Sequence, residues 1–295
     1  MMKIKIHKGF ITLKSGKNGP LFIAPHSGMA LNNPEGEIDR GTQSVAYHYL
    51  KKYGGSAIIS LFSRERDLGI DLWRPMPVGR KISKKYAWYP FSRKYDEEKK
   101  KIYKKFWKFI FSQKSDTIII LHRQLPRVKN YPSIIDVVSI IGRGFSRKRM
   151  RKVIEKMNKE YEDRFYWLRD EYRELMLVYI DYCLLCYKKH IKSFLKKDFI
   201  TFKKTLGVQA TKKLEKNFSK SLLKKYILKL IHKQPDLKIT LEKNFTGKYI
   251  GKVLDPILDD RLVVSFEINQ LLSQYYPLLT AKIIHEIIYE YKKAE

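Results

Sequence analysis

"DTIIILH", residues 116–122, carries four apolar residues in succession into a histidine. A run this short, with no polar alternation, is the pattern of a strand buried on both faces of a parallel sheet. "PLFIAPH" (20–26) and "SAIISLF" (56–62) repeat it. Between those two lies "TQSVAYHYLKKYGG" (42–55), which reads as a helix with Thr42 as N-cap and Gly54 or Gly55 at its end. Further outward, "MKIKIHKGF" (2–10), "IIDVVSIIG" (134–142), "LKITLEKN" (237–244) and "RLVVSFEIN" (261–269) read as strands. A helix is expected over about 96–111, and an amphipathic helix, "LLTAKIIHEIIYEYKK" (278–293), closes the chain. Strand and helix in alternation predict an α/β fold, a mixed central sheet flanked by helices on both faces.

The character changes from Ser146 to His232. No glycine or proline falls between Phe145 and Gly207, and Lys148 to Lys233 hold 24 basic against 10 acidic residues, a balance of +14. This stretch is expected to be a lysine-rich helical insertion at 148–234, dividing the α/β core into residues 1–147 and 235–295. With 295 residues, 44% of them hydrophobic, the chain is long enough to bury a sizeable core. No apolar run reaches the ~18 residues of a membrane span, and "MMKIKIHKGF" lacks the apolar segment of a secretion signal. Two cysteines do not make a disulfide framework. A cytoplasmic protein is expected. Its net charge of +31 favours anionic partners, either a small carboxylate substrate or nucleic acid held by the basic surface. Lysines spread along solvated helix faces are the plainer reading of the same number.

Three groups of residues have chemical potential. His26 and His122 each end an apolar strand, and carboxyl ends of parallel strands are where open α/β sheets bind ligands. Two imidazoles and one carboxylate, with Glu35, Glu37 and Asp39 in the loop after His26, match the three protein ligands of a catalytic zinc. "LFSRERDLGIDLWRP" (61–75) concentrates Arg64, Arg66 and Arg74, whose guanidinium forks suit a carboxylate. Glu267 sits between Phe266 and Ile268 in an apolar strand. A charge placed there is paired or employed, since burying it unpaired costs several kcal/mol.

In chain order, "PHSG", "EIDRGT", "SRERDLGIDLWRP", the strand ending in His122, "IIDVVSIIGRGFS", "NFTGKYIGK" and "VVSFEINQLL" resemble the motifs of the N-formylglutamate amidohydrolases, relatives of the zinc carboxypeptidases and aspartoacylases. The resemblance spans both halves of the chain and skips the basic stretch. It implies a zinc-exopeptidase-like fold and Zn2+ held by His26, His122 and Asp39, with Glu37 as the alternative carboxylate. It further implies Glu267 as general base and Arg74 and Arg64 as the clamp on a substrate carboxylate, with Arg143 and Gly247 lining the substrate side. The expected activity is hydrolysis of an acidic N-acyl amino acid. The alternative is a non-catalytic or nucleic-acid-binding protein on the same fold. The chain departs from the family pattern at Trp73, Arg123 and Met29. The departures leave the fold expectation intact and bear on the substrate. Cys183 and Cys186 form a C-x-x-C inside a predicted helix, where packing is the expected role.

Overall fold

The central strands form at short, uninterrupted apolar runs, whereas the edge strand Lys3–His7 alternates lysine with isoleucine. The computed structural model describes residues 2–27, 39–61, 72, 97–127, 130–140, 145–186, 207–216, 219–233, 236–243 and 261–294. In chain order the strands are β1 (Lys3–His7), β2 (Phe10–Lys14), β3 (Leu21–Ala24), β4 (Ser56–Ser60), β5 (Thr117–Gln124), β6 (Ser133–Ser139), β7 (Lys238–Leu241) and β8 (Leu262–Asn269). They join in one mixed eight-stranded sheet of order β1-β2-β4-β3-β5-β8-β6-β7. β1, β2 and β4 are antiparallel neighbours, whereas β4, β3, β5 and β8 run parallel. Every residue of β3 and β5 is buried, as parallel strands covered on both faces require, and so is every residue of β6.

The helices are α1 (Thr42–Tyr53), α2 (Glu97–Ser112), α3 (Arg147–Glu160), α4 (Glu162–Cys186), α5 (Val208–Lys216), α6 (Lys220–Lys233) and α7 (Pro277–Lys293). On one face of the sheet, Ile102, Tyr103, Phe106, Trp107 and Ile110 of α2 form a core with Leu21, Ile23, Ile58, Ile118, Ile120 and Val263. Their spacing of three and four is the apolar stripe of a surface helix. On the other face, Tyr49 of α1 packs on Phe22, their rings 4.5 Å apart. Tyr49 also meets α7, which buries Ile283, Ile284, Ile287 and Ile288. The α/β class with flanking helices is as the sequence predicts.

Two local expectations need correction. "MKIKIHKGF" is not a single strand: Gly9, at φ 92°, turns the chain so that His7 faces Phe10 in a hairpin. Thr42 is the first residue of α1 rather than its N-cap, which is Gly41. Its hydroxyl is used elsewhere, as described below. Gly54 does close α1, its N–H donating to the Leu50 carbonyl.

The chain divides into two compact units. The first comprises residues 1–124, 136–154 and 241–295, and the second 125–135 and 155–240. Within the second, α4 buries Phe165, Leu168, Tyr172, Met176 and Tyr179, and α6 buries Leu223, Tyr226, Ile227, Leu230 and Ile231. The chain passes the positions of Cys183 and Cys186 in the last turn of α4. No helix among the described residues is long and apolar enough to cross a membrane.

Candidate metal centre

β3 ends at Ala24, and Pro25 turns the chain so that His26 lies at the carboxyl edge of the sheet, 3% exposed. β5 delivers His122 to the same edge at 4% exposure. The two imidazole rings are 5.0 Å apart between centroids. Between them lies Asp39, 3% exposed, whose Oδ2 is 3.3 Å from His26 Nδ1 and 3.0 Å from His122 Nδ1. Residues 26, 39 and 122, far apart in the chain, thus converge on one point. One ligand atom from each falls within 4.8 Å of the others.

The loop that presents Asp39 is fixed from both ends. The Asp39 N–H donates to the His26 carbonyl at 2.8 Å. The Asp39 carbonyl accepts from the Thr42 hydroxyl at 2.7 Å, and Thr42 Oγ1 lies 2.6 Å from Ser27 Oγ. A hydroxyl has one hydrogen to give, so with Thr42 donating to Asp39, Ser27 is the donor to Thr42. That chain of bonds is why Thr42 does not cap its helix. Gly41 adopts φ 88° and lies against the π-helical turn Leu271–Tyr275 that follows β8. A Cβ there would collide with the Ser273 carbonyl, so only glycine allows the Asp39 turn to sit this close. Ser273 Oγ completes the seam by donating to the Arg40 carbonyl at 3.1 Å.

Glu267 stands next to this centre. β5 and β8 are parallel, and His122 is in register with Glu267. Registered residues on neighbouring parallel strands project from the same face about 4.8 Å apart along the sheet, so the glutamate flanks the histidine. Glu267 is half-buried, whereas Phe266 and Ile268, on the opposite face, are fully buried. The next registered pair on the same face is Gln124 and Asn269, both buried. Asn269 Oδ1 accepts from the Leu271 N–H at 2.9 Å, which orients its amide. Neither residue is among the site residues expected from sequence, although "VVSFEIN" alternates Ser265, Glu267 and Asn269 with Val264, Phe266 and Ile268. That period of two places all three polar side chains on one face.

Arg123 pairs with Ile268, so strand alternation directs it away from the face of His122 and Glu267. Glu37, Arg64, Arg74, Arg143 and Gly247 lie outside the described residues, as do Met29 and Trp73. Leu72, two residues before Arg74 in sequence, is described. It joins the α2 core, and its carbonyl accepts the Trp107 indole N–H at 3.0 Å.

The donor set suits a metal ion on its own geometry. Two ligand atoms of a tetrahedral zinc with bonds of about 2.0–2.2 Å lie roughly 3.3–3.6 Å apart. The two nitrogen-to-Oδ2 separations, 3.3 and 3.0 Å, are close to that spacing. Among the described residues, one carboxylate and two imidazoles supply three ligands, the number a catalytic zinc takes from its protein. The buried His26-Asp39-His122 group could therefore hold a metal ion.

No protein-family model matches the sequence, and no curated protein does. Among solved structures, the crystal structure of gene product Atu2144 from Agrobacterium tumefaciens is similar to this chain, with a TM-score of 0.49 and 12% sequence identity. The likeness covers 97% of this chain and 95% of that one.

Proposed function

We propose that this protein is a zinc-dependent amidohydrolase with a zinc-exopeptidase-like fold, cleaving the amide bond of an acidic N-acyl amino acid such as N-formylglutamate. The observation that carries the reading is the meeting of His26, Asp39 and His122 with Glu267 in register beside His122. A buried ligand triad alone is compatible with a structural ion. A half-buried carboxylate adjoining one ligand adds a proton acceptor where water reaches.

His26, Asp39 and His122 would hold the ion, and zinc bound there supplies Lewis acidity toward a carbonyl and toward water. Glu267 takes a proton from the water whose oxygen attacks the amide carbon. As the carbon–nitrogen bond breaks, Glu267 returns that proton to the leaving nitrogen, giving a carboxylic acid and a free amine. Ser27, Thr42 and Gly41 keep Asp39 in place through the turn. On the motif resemblance, Arg74 and Arg64 receive the substrate carboxylate.

The test is a panel of N-acyl amino acids, N-formylglutamate included, assayed with zinc-loaded wild type and Glu267→Gln. Wild type should turn over an acidic amide, and the variant should keep zinc while losing about 10²–10⁴-fold in kcat, the usual contribution of a general base. Stoichiometric zinc with no turnover of any acidic amide rejects the substrate class. Unchanged kcat in Glu267→Gln rejects the base.

A further inference from the structure

At the opposite end of the sheet, where β3, β4 and β5 begin, the first unit has a cleft of about 710 Å³. It is separated from the metal centre by the length of β5. Thr117 lines the cleft and His122 lies five residues further, roughly 16 Å along the strand. Four lysines from three segments line it: Lys14 and Lys17, Lys114, and Lys292. All are exposed. The acidic lining residue is Asp116, already paired with Lys292 at 2.8 Å.

One wall is aromatic. His285 stacks on Tyr53 with centroids 3.7 Å apart and planes 7° from parallel. Tyr289 continues the ladder one turn along α7, its ring 6.2 Å from that of His285 and 25° from parallel with it. Tyr289 remains 55% exposed, so much of its ring is open to solvent. Burial lowers the His285 pKa from its ordinary value, which favours a neutral ring in this stack.

We infer that this cleft binds single-stranded nucleic acid, its lysines neutralising successive phosphates and Tyr289 stacking on an unpaired base. Exposed lysines spread around an open cleft track a chain of charges, whereas a small anion is gripped by converging groups in an enclosed pocket. An aromatic shelf between them is the other half of strand recognition, because every base has a face to stack and a duplex hides those faces. The site is independent of the proposed hydrolase chemistry, and its substitutions leave the metal ligands untouched.

The experiment measures binding of the full-length protein to a fluorescent oligothymidylate by anisotropy, from 50 to 300 mM salt. With Lys292 already held by Asp116, three neutralised phosphates predict a slope near −2 for log K against log salt. Tyr289→Ala should weaken binding about tenfold, as loss of one stacked base does. Lys17→Glu with Lys114→Glu should weaken it further and flatten the slope. Lys224→Glu with Lys225→Glu, on exposed positions of α6, serves as the control and should leave affinity within twofold. Zinc titration of each variant reads separately on the metal centre. The inference is overturned if the α6 pair, rather than the cleft substitutions, abolishes binding. It is equally overturned if a duplex or inorganic polyphosphate of the same charge competes as well as the single strand, or if no binding occurs at low salt.

Discussion

Replacing Gly41 with alanine adds one methyl group at the seam between the Asp39 turn and the turn after β8. Two costs follow. At φ 88° an L side chain costs about 1–2 kcal/mol in local conformation. The new Cβ would also sit 2.9 Å from Gln274 N and closer still to the Ser273 carbonyl, both backbone atoms that no rotamer change can move. Overpacking of that kind costs about 1–3 kcal/mol. The total is about 2–5 kcal/mol, measurable as a lowered urea midpoint in metal-free protein. Relief by moving the turn shifts Asp39 by on the order of 1 Å, and a displacement of that size can cost a site about 100-fold. Zinc affinity, read against a chromophoric chelator, should therefore fall along with stability. Gly41→Ala within 0.5 kcal/mol of wild type and with unchanged zinc affinity would refute the claim that this seam positions Asp39.

Thr42→Val keeps the shape of a fully buried residue and removes the hydroxyl between Asp39 and Ser27. It should cost about 1–3 kcal/mol for the polar partners left behind and weaken zinc by about 10–100-fold, checked by urea unfolding and chelator competition. His285 yields a pH dependence. Burial, aided by Lys52 and opposed by Glu286, lowers its folded pKa, and its Nδ1 meets the Tyr49 hydroxyl at 3.2 Å. The unfolded chain takes up the proton near pH 6.5, before the folded protein does. The contribution is thus fully present above about pH 6.5 and is lost as pH falls through the lowered folded value. Chelated wild type should lose more unfolding free energy between pH 7.5 and 4.5 than His285→Phe, and parallel curves would contradict this. Trp107→Phe removes the indole donor to the Leu72 carbonyl in the α2 core, and a loss of about 1–3 kcal/mol is expected in the same unfolding assay.

Much of this arrangement is legible in the sequence because it follows from local pattern. Ile118 to Leu121 running into His122, and Leu21 to Ala24 leading to His26, mark buried strands whose ends lie together in any parallel sheet. Glu267 stands out because Phe266 and Ile268 flank it. What could not be read is non-local or conformational. Placing β8 between β5 and β6 follows from a long crossover with no marker in the residues, yet that placement is what sets Glu267 beside His122. The hairpin at Gly9 was hidden because alternating charge and apolar residues run through "KIKIHKGF" as they would in a single strand. Thr42 fits an N-cap by residue type, but its hydroxyl serves the Asp39 carbonyl, a choice made only once Ser27 and Asp39 have folded against α1.

The central claim is that His26, Asp39 and His122 form one metal site. X-ray absorption at the zinc edge, on protein loaded with one equivalent, tests it most directly when wild type is compared with His122→Ala and Asp39→Ala. The account predicts a single tight zinc with two nitrogen ligands and a carboxylate oxygen at about 2.0–2.2 Å, and loss of that site in both variants. Absence of stoichiometric zinc in wild type, or an unchanged zinc spectrum in His122→Ala or Asp39→Ala, would contradict it.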